Sequence, residues 1–138
     1  MKKHLKRLPA PRAWTLARKE HTWAYKPRAG PHAQEQALPL VNVLRETLHL
    51  VDRAREAERA IFDRSVRGDG RPVTDPKFPV GLMDVVTLAP TKTHYRMLLD
   101  TRGKLTLVPI DAAEAAWKLC RVQDRGTVRG GKAQLRLH

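Results

Sequence analysis

The sequence predicts an α+β fold in three parts: an extended basic arm over residues 1–37, a small unit of two helices and a β-hairpin over 38–90, and a mostly antiparallel β region over 91–138 that stops incomplete. Three observations predict it. Lys and Arg crowd the start of the chain among prolines, apolar residues recur at helical spacing between Leu40 and Ile61, and β-branched runs alternate with glycine-bearing turns from Val66 onward.

Residues 1–32 hold nine Lys and Arg (Lys2, Lys3, Lys6, Arg7, Arg12, Arg18, Lys19, Lys26, Arg28) against one acid, Glu20, a net of +8. Pro9, Pro11, Pro27, Gly30 and Pro31 break any long helix, leaving an irregular segment with at most a helical turn between Trp14 and Arg18. Its apolar surface is too small to fold alone, so the arm is expected to order on binding. Trp14, Trp23 and Tyr25 lie among the charges. A solvated tail that docks its aromatics on the next domain is the simpler alternative; the arm as a whole is read as one that neutralises phosphates and stacks bases on its rings.

Pro39 suits a first helical position, and Leu40, Val41, Leu44, Leu48 and Val51 fall on one helical face. Asp52 is the candidate cap of a second helix, with Ala54, Ala57 and Ile61 inward and Arg55, Glu56, Glu58, Arg59 and Asp63 outward. Gly68-Asp69-Gly70 between Val66 and Val73 signals a hairpin tip, and Val85, Val86 and Leu88 read as a closing strand. His94–Leu99 and Lys104–Pro109 form a second hairpin around Asp100-Thr101-Arg102-Gly103. Asp111 then caps a helix over Ala112–Leu119, Gly126, Gly130 and Gly131 are read as turns, and Ala133–Leu137 as a last strand.

The length allows one domain, or one small domain with appendages. With 27 Lys and Arg against 14 Asp and Glu the net charge is +13, so a polyanion is the expected partner. The single cysteine, Cys120, forbids an internal disulfide and a cysteine-built zinc site, and reads as a small buried residue. No apolar run reaches the length of a membrane span, and no signal-peptide core follows Met1-Lys2-Lys3-His4. Six scattered histidines, a lone Ser65 and the absence of a phosphate-binding glycine loop leave no catalytic constellation, metal site or cofactor site. The chain is read as no enzyme, with neither a membrane nor a small-molecule substrate as partner.

The helix pair, Ala54-Arg55-Glu56-Ala57, Val66, Asp69-Gly70 and Asp84-Val85 resemble the S-four RNA-binding domain. Two positions depart from that pattern: Arg64 stands where glycine usually ends the second helix, and Gly68 where a Val usually continues the strand. A less well closed helix end and a looser hairpin are expected. Across the chain, Lys3-His4-Leu5-Lys6-Arg7-Leu8, Gly30-Pro31-His32, Gly81-Leu82-Met83-Asp84-Val85, Asp100-Thr101-Arg102-Gly103, Lys118-Leu119-Cys120-Arg121-Val122 and Gly130-Gly131-Lys132 resemble the small-subunit ribosomal S-four-e family of archaea and eukaryotes. That family continues further, so the chain is expected to be truncated in mid-domain and to leave an unpaired strand edge.

The resemblance implies a structural constituent of the small ribosomal subunit, cytoplasmic on the ribosome, with ribosomal RNA and neighbouring ribosomal proteins as partners. A free-standing RNA-binding factor acting on ribosomal or transfer RNA complexes is the alternative. The residues expected to touch RNA are Lys2, Lys3, His4, Lys6, Arg7, Arg12, Trp14, Arg18, Lys26, Arg28 and His32 in the arm, Arg45, Arg53, Arg55, Arg59, Arg67, Arg71 and Lys77 in the middle unit, and Arg129 and Lys132 near the end. Double-stranded RNA offers backbone and 2′-hydroxyls rather than readable base edges, so the middle unit is expected to present its arginines to phosphates in a groove chosen by shape.

Overall fold

The structure, a computed structural model, describes residues 4–137; Met1, Lys2, Lys3 and His138 lie outside the described residues. In the arm β1 (Leu5–Lys6) pairs antiparallel with β2 (Trp23–Ala24). A 3-10 turn (Gln34–Gln36) precedes β3 (Ala37–Pro39), and α1 (Leu40–Asn42) continues into a π-helical turn, Val43–Thr47. There follow α2 (Ala54–Phe62), β4 (Val66–Gly68), β5 (Arg71–Pro72), β6 (Pro79–Gly81), β7 (Val85–Leu88), β8 (Thr93–Leu99), β9 (Leu105–Ile110), α3 (Ala112–Ala115), β10 (Val122–Val128) and β11 (Lys132–Leu137). One antiparallel sheet runs β5-β4-β7-β8-β9, crossing the boundary expected at residue 90, while β3 pairs β6 and β10 pairs β11 in separate two-stranded sheets. The fold is α+β.

A single core joins these parts. Val66, Val86, Leu88, Met97 and Leu105 of the five-stranded sheet meet Leu40, Val41, Val43 and Leu44 and the inward Ala57 and Ile61 of α2. The arm supplies the largest member: Trp14 is 1% exposed, and its neighbour Ala10 is buried with it. Ala13 accepts a 2.8 Å hydrogen bond from the Leu105 N–H, and the Thr15 hydroxyl donates to the Leu105 carbonyl at 2.6 Å, so the arm is stitched to the start of β9. The arm is extended and irregular, as the sequence predicts, but it is packed on the core without RNA, where the sequence predicts a segment that orders on binding. Charge counting missed Trp14, whose burial supplies the apolar area that the arm otherwise lacks.

Several local expectations change for identifiable reasons. Pro39 ends β3 as the residue before the helix, not its first turn. The helix widens into a π turn because Leu40 to Leu44 are all buried, more contiguous residues than one α-helical stripe can turn inward. Arg53, not Asp52, starts α2, and the Glu56 carboxylate accepts its N–H at 3.4 Å.

The end of α2 is fully closed. Arg64 takes the left-handed conformation (φ 56°), its N–H donates to Ile61 O at 3.0 Å, and Ser65 N–H donates to Ala60 O at 3.1 Å. That is the Schellman pair that a glycine usually makes, held here at the steric cost of a side chain at positive φ. The first hairpin is tight as well, because Asp69 (φ 47°) and Gly70 (φ 77°) form a two-residue primed turn. Gly68 faces the Val73 side chain so closely that a Cβ would lie 3.1 Å from it.

α3 ends at Ala115 instead of Leu119. The Arg96 guanidinium, buried against it, donates to the carbonyls of Glu114 and Trp117, both at 2.7 Å, and lies 4.8 Å from the Trp117 ring. Those bonds turn the chain out of helix. Cys120 is only half-buried. Gly126 pairs with Gln134 inside β10, and only Gly130 and Gly131 make the turn. Every residue of β10 and β11 is exposed.

The core can be tested from both of its sides. Trp14→Ala should lower unfolding stability in urea by about 3–5 kcal/mol without any RNA present, whereas an arm ordered only by RNA would show no loss. Leu44→Ala and Ile61→Ala should each cost roughly 2–5 kcal/mol in the same measurement.

Candidate nucleic-acid interface

The antiparallel pairing of β1 and β2 sets Lys6 opposite Trp23, and side chains two residues apart on a strand share a face. The Lys6 ammonium sits 5.8 Å from the Trp23 ring centre, and the His4 ring lies 5.9 Å from the same indole. Trp23 is 57% exposed. Around it opens a groove of about 250 Å³ lined by His4, Leu5, Trp23, Ala24, Tyr25, Lys26, Arg45 and Lys77. Bases from the arm, from the π turn and from the loop before β6 thus converge beside two aromatic rings.

The groove is held in shape from below. The Tyr25 hydroxyl donates to Glu58 Oε1 of α2 at 2.7 Å; burial, and then that carboxylate, push its pKa up to about 12. Arg45 Nε donates to Glu46 Oε1 at 3.0 Å. Burial works against ionisation of Glu46, but Arg45 and Arg7 outweigh it and hold the carboxyl below its usual range. Arg28 is anchored at the rim: its N–H donates to Lys77 O at 3.0 Å and its guanidinium pairs with Asp75 at 3.1 Å.

Three arm residues expected at the RNA surface serve the fold instead. Arg7 is 1% exposed; it donates to the Ala17 carbonyl at 2.6 Å and the Trp23 carbonyl at 3.3 Å, and it pairs with Glu46. Trp14 is in the core. Arg18 gathers the carbonyls of Leu8, Ala10 and Pro11 at 2.8–2.9 Å. A proline-rich segment has few N–H donors of its own, and a guanidinium with five donors satisfies the carbonyls left over. His32 is drawn inward too, its Nε2 2.8 Å from Asp84 Oδ2. A Cβ on Gly81 would lie 2.2 Å from that ring, so only glycine lets His32 reach Asp84.

Of the remaining expected residues, Lys2 and Lys3 lie outside the described residues, and Arg12 is exposed on the arm. Arg53, Arg55 and Arg59 are exposed at α2, with Arg55 and Arg59 one turn apart, and Arg67 and Arg71 are exposed on the first hairpin. A wider concavity of about 560 Å³ beside Arg71 also carries Asp69 and Asp75, so its charge is mixed. Arg129 and Lys132 are exposed at the tip of the β10–β11 sheet and line none of the groove. Trp23 and Tyr25 stood only among the arm's aromatics, outside the residues expected to touch RNA. The alternation over Trp23-Ala24-Tyr25-Lys26 was the available signal, but its partner strand, Leu5–Lys6, is too short to read.

A second arrangement fixes the site's frame. Asp84 is 4% exposed; Oδ2 accepts from the Gly81 N–H at 2.9 Å and faces His32, while Oδ1 accepts from Lys118 Nζ at 2.9 Å. Lys118 also donates to Asp69 Oδ2 at 2.6 Å, and Asp69 Oδ1 accepts the Val85 N–H. Burial alone would raise the Asp84 pKa, but His32, Gly81 and Lys118 together lower it. Burial likewise opposes the charge on Lys118, and the two carboxylates outweigh it and raise its pKa. Among the described residues no group of His, Cys, Asp and Glu is placed to hold a metal ion.

Family comparison accounts for almost the whole chain. The model described as the RS4NT domain matches residues 1–35, the S4 domain 38–86, and Ribosomal family S4e 91–138. The chain belongs to the ribosomal S4e family. It is 47% identical over 137 residues to the small ribosomal subunit protein eS4 of Methanothermobacter thermautotrophicus, covering 99% of this chain and 57% of that protein. With eS4 of Ignicoccus hospitalis it shares 44% identity, again over 99% of this chain and over 54% of the relative. The crystal structure of the 30S ribosomal protein S4e from Thermoplasma acidophilum superposes with a TM-score of 0.62 at 33% identity, over 75% of this chain and 53% of that one. The chain spans about half the length of the S4e relatives it matches.

The Asp84 cluster sets a pH dependence. A carboxyl whose folded pKa is lowered contributes stability that is present above its unfolded pKa, roughly 4, and is lost as pH falls through the folded value. Denaturation midpoints should therefore stay level from neutral pH to about 5 and fall below about 4. In Asp84→Asn the neutral-pH midpoint should be lower and the acid decline shallower; parallel curves for the two proteins would remove Asp84 from that role.

Proposed function

We propose that the chain is a structural constituent of the small ribosomal subunit, acting on the ribosome in the cytoplasm. It binds ribosomal RNA through the Trp23 groove and the exposed bases of α2 and the first hairpin, and it has neighbouring ribosomal proteins as further partners. The observation that carries this reading is the convergence of His4, Lys26, Arg45 and Lys77 beside Trp23 in a chain of the S4e family. The charge agrees with it: the net is +13, and much of what Arg7 and Arg18 do not use faces solvent. Guanidinium groups suit phosphate because their paired donors match two oxygens at once. No reaction, cofactor or small-molecule substrate is part of the proposal. Among the described residues no helix is long and apolar enough to cross a membrane.

Sucrose-gradient sedimentation of cell extract tests the assignment. The chain should travel with the small subunit near stoichiometrically and remain there through high salt; release at modest salt would make it a transient, free-standing RNA-binding factor. In vitro, replacing Lys6, Lys26 and Lys77 by Ala should weaken binding to all RNAs alike. The slope of log K against log salt should become shallower by about 2, since each phosphate neutralised on a single strand accounts for roughly 0.7 of that slope.

A further inference from the structure

We propose that the groove beside Trp23 holds one unpaired RNA nucleotide, with its base laid on the exposed indole and its phosphate among Lys26, Arg45 and Lys77. The inference rests on the RNA-binding reading above and narrows it to a substrate class, a bulged or looped-out nucleotide as opposed to continuous duplex.

Three features of the groove select that ligand. The first is the ring itself. Trp23 leaves more than half of its surface open; Trp14 is buried, and Trp117, though equally exposed, has the Arg96 guanidinium laid over its ring and stands apart from the groove. An indole presented to an A-form helix meets phosphates and 2′-hydroxyls, since the base faces are stacked on one another; only an extruded base offers a face for it to stack on. The second is size. About 250 Å³ lies just under the roughly 300–1,000 Å³ of clefts that take drug-sized ligands, so the space suits one nucleotide and not a helix. The third is the distribution of charge. The cations do not surround the ring evenly: the Lys6 ammonium lies over the ring 5.8 Å from its centre and the His4 ring is tilted against it, whereas Lys26, Arg45 and Lys77 line the groove beside it, as a base with its own phosphate requires.

The groove is also formed in advance. The Trp23 backbone is fixed by strand pairing to Lys6 and by its carbonyl, which accepts from buried Arg7, and the ring is met by the Lys6 ammonium and the His4 ring. Tyr25 is tied by its hydroxyl to Glu58, and Arg45 by its guanidinium to Glu46. Side chains already held in place lose little freedom when a ligand arrives, which favours capture of a single extruded base.

The test uses the full chain and two RNA hairpins of one sequence, the first carrying a single bulged 2-aminopurine and the second fully paired, with binding read by anisotropy and stacking by 2-aminopurine fluorescence. The bulged hairpin should bind roughly five- to a hundred-fold more tightly, and its fluorescence should change on binding. Trp23→Ala should abolish both the preference and the change while leaving the salt slope and the unfolding midpoint in place, and Trp23→Phe should restore much of the preference. Equal binding of both hairpins, or a preference that survives Trp23→Ala, overturns the inference and leaves the RNA-binding reading standing. Failure to bind either hairpin, or any other structured RNA, overturns the reading and the inference together.

Discussion

The Asp84 carboxylate is the constraint on which the arrangement of the chain depends. It is buried, so ionising it without partners would cost several kcal/mol, and each of its partners comes from a different stretch: His32 at the end of the arm, the Gly81 amide in β6, and Lys118 after α3. Lys118 carries the link on to Asp69 at the hairpin tip, whose carboxylate in turn accepts the Val85 N–H. Segments from residue 32 to residue 118 are thereby fixed to one point beside the central sheet. A buried ion cluster adds little net stability compared with apolar packing, but it tolerates no other register. Its contribution is to position: β7 cannot shift against β4, nor the arm against β6, without stranding a charge.

The arm extends the same principle to backbone. Residues 4–36 contain very short strands and a single 3-10 turn, so most of their carbonyls have no ladder partner. Arg7 and Arg18 replace that ladder with side-chain donors, and Trp14 supplies the apolar anchor. Arginine thus has two uses in this chain, with opposite consequences for exposure. Arg7, Arg18 and Arg96 turn their donors inward to carbonyls, whereas Arg12, Arg55, Arg59, Arg67 and Arg71 face solvent.

That division also explains what could be read from the residues alone. The two hairpins, the body of α2 and the closing strand were legible, because period-two and period-3.6 patterns and primed-turn residues are local properties. The packed arm was not: nothing near Arg7 or Trp14 in sequence says that Glu46 or the sheet will meet them. The length of α3 was hidden for the same reason, since the Arg96 guanidinium that ends it comes from β8. Arg64 misled in a different way. A side chain at positive φ is unfavourable and predicts a weak helix end, yet the hydrogen bonds of the motif are formed in full, because packing of Ile61 and Val66 on either side fixes the path of the chain. Among the residues expected to touch RNA, Arg53, Arg55, Arg59, Arg67 and Arg71 lie at the surface, Arg45 is half-buried against Glu46 and part of the arm's set turns inward, and Trp23, the ring that faces the groove, is distinguished from Trp14 only by tertiary contacts.

The exposed cations that remain are costly to a free protein. Arg55 and Arg59 stand one turn apart on a helix of nine residues, where like charges at that spacing weaken the helix by a few tenths of a kcal/mol. Arg67 and Arg71 share a short hairpin, and Lys77 is exposed at the groove beside Trp23. Folding alone would be better served by neutral residues at several of these positions, as the acidic partners given to Arg7 and Lys118 illustrate. On the proposed reading the unfavourable self-repulsion is relieved when phosphates arrive, and binding gains both the direct contacts and the release of that strain. The apolar core and the Asp84 cluster then have a common task, which is to hold a set of mutually repelling charges in a fixed pattern until the polyanion completes it.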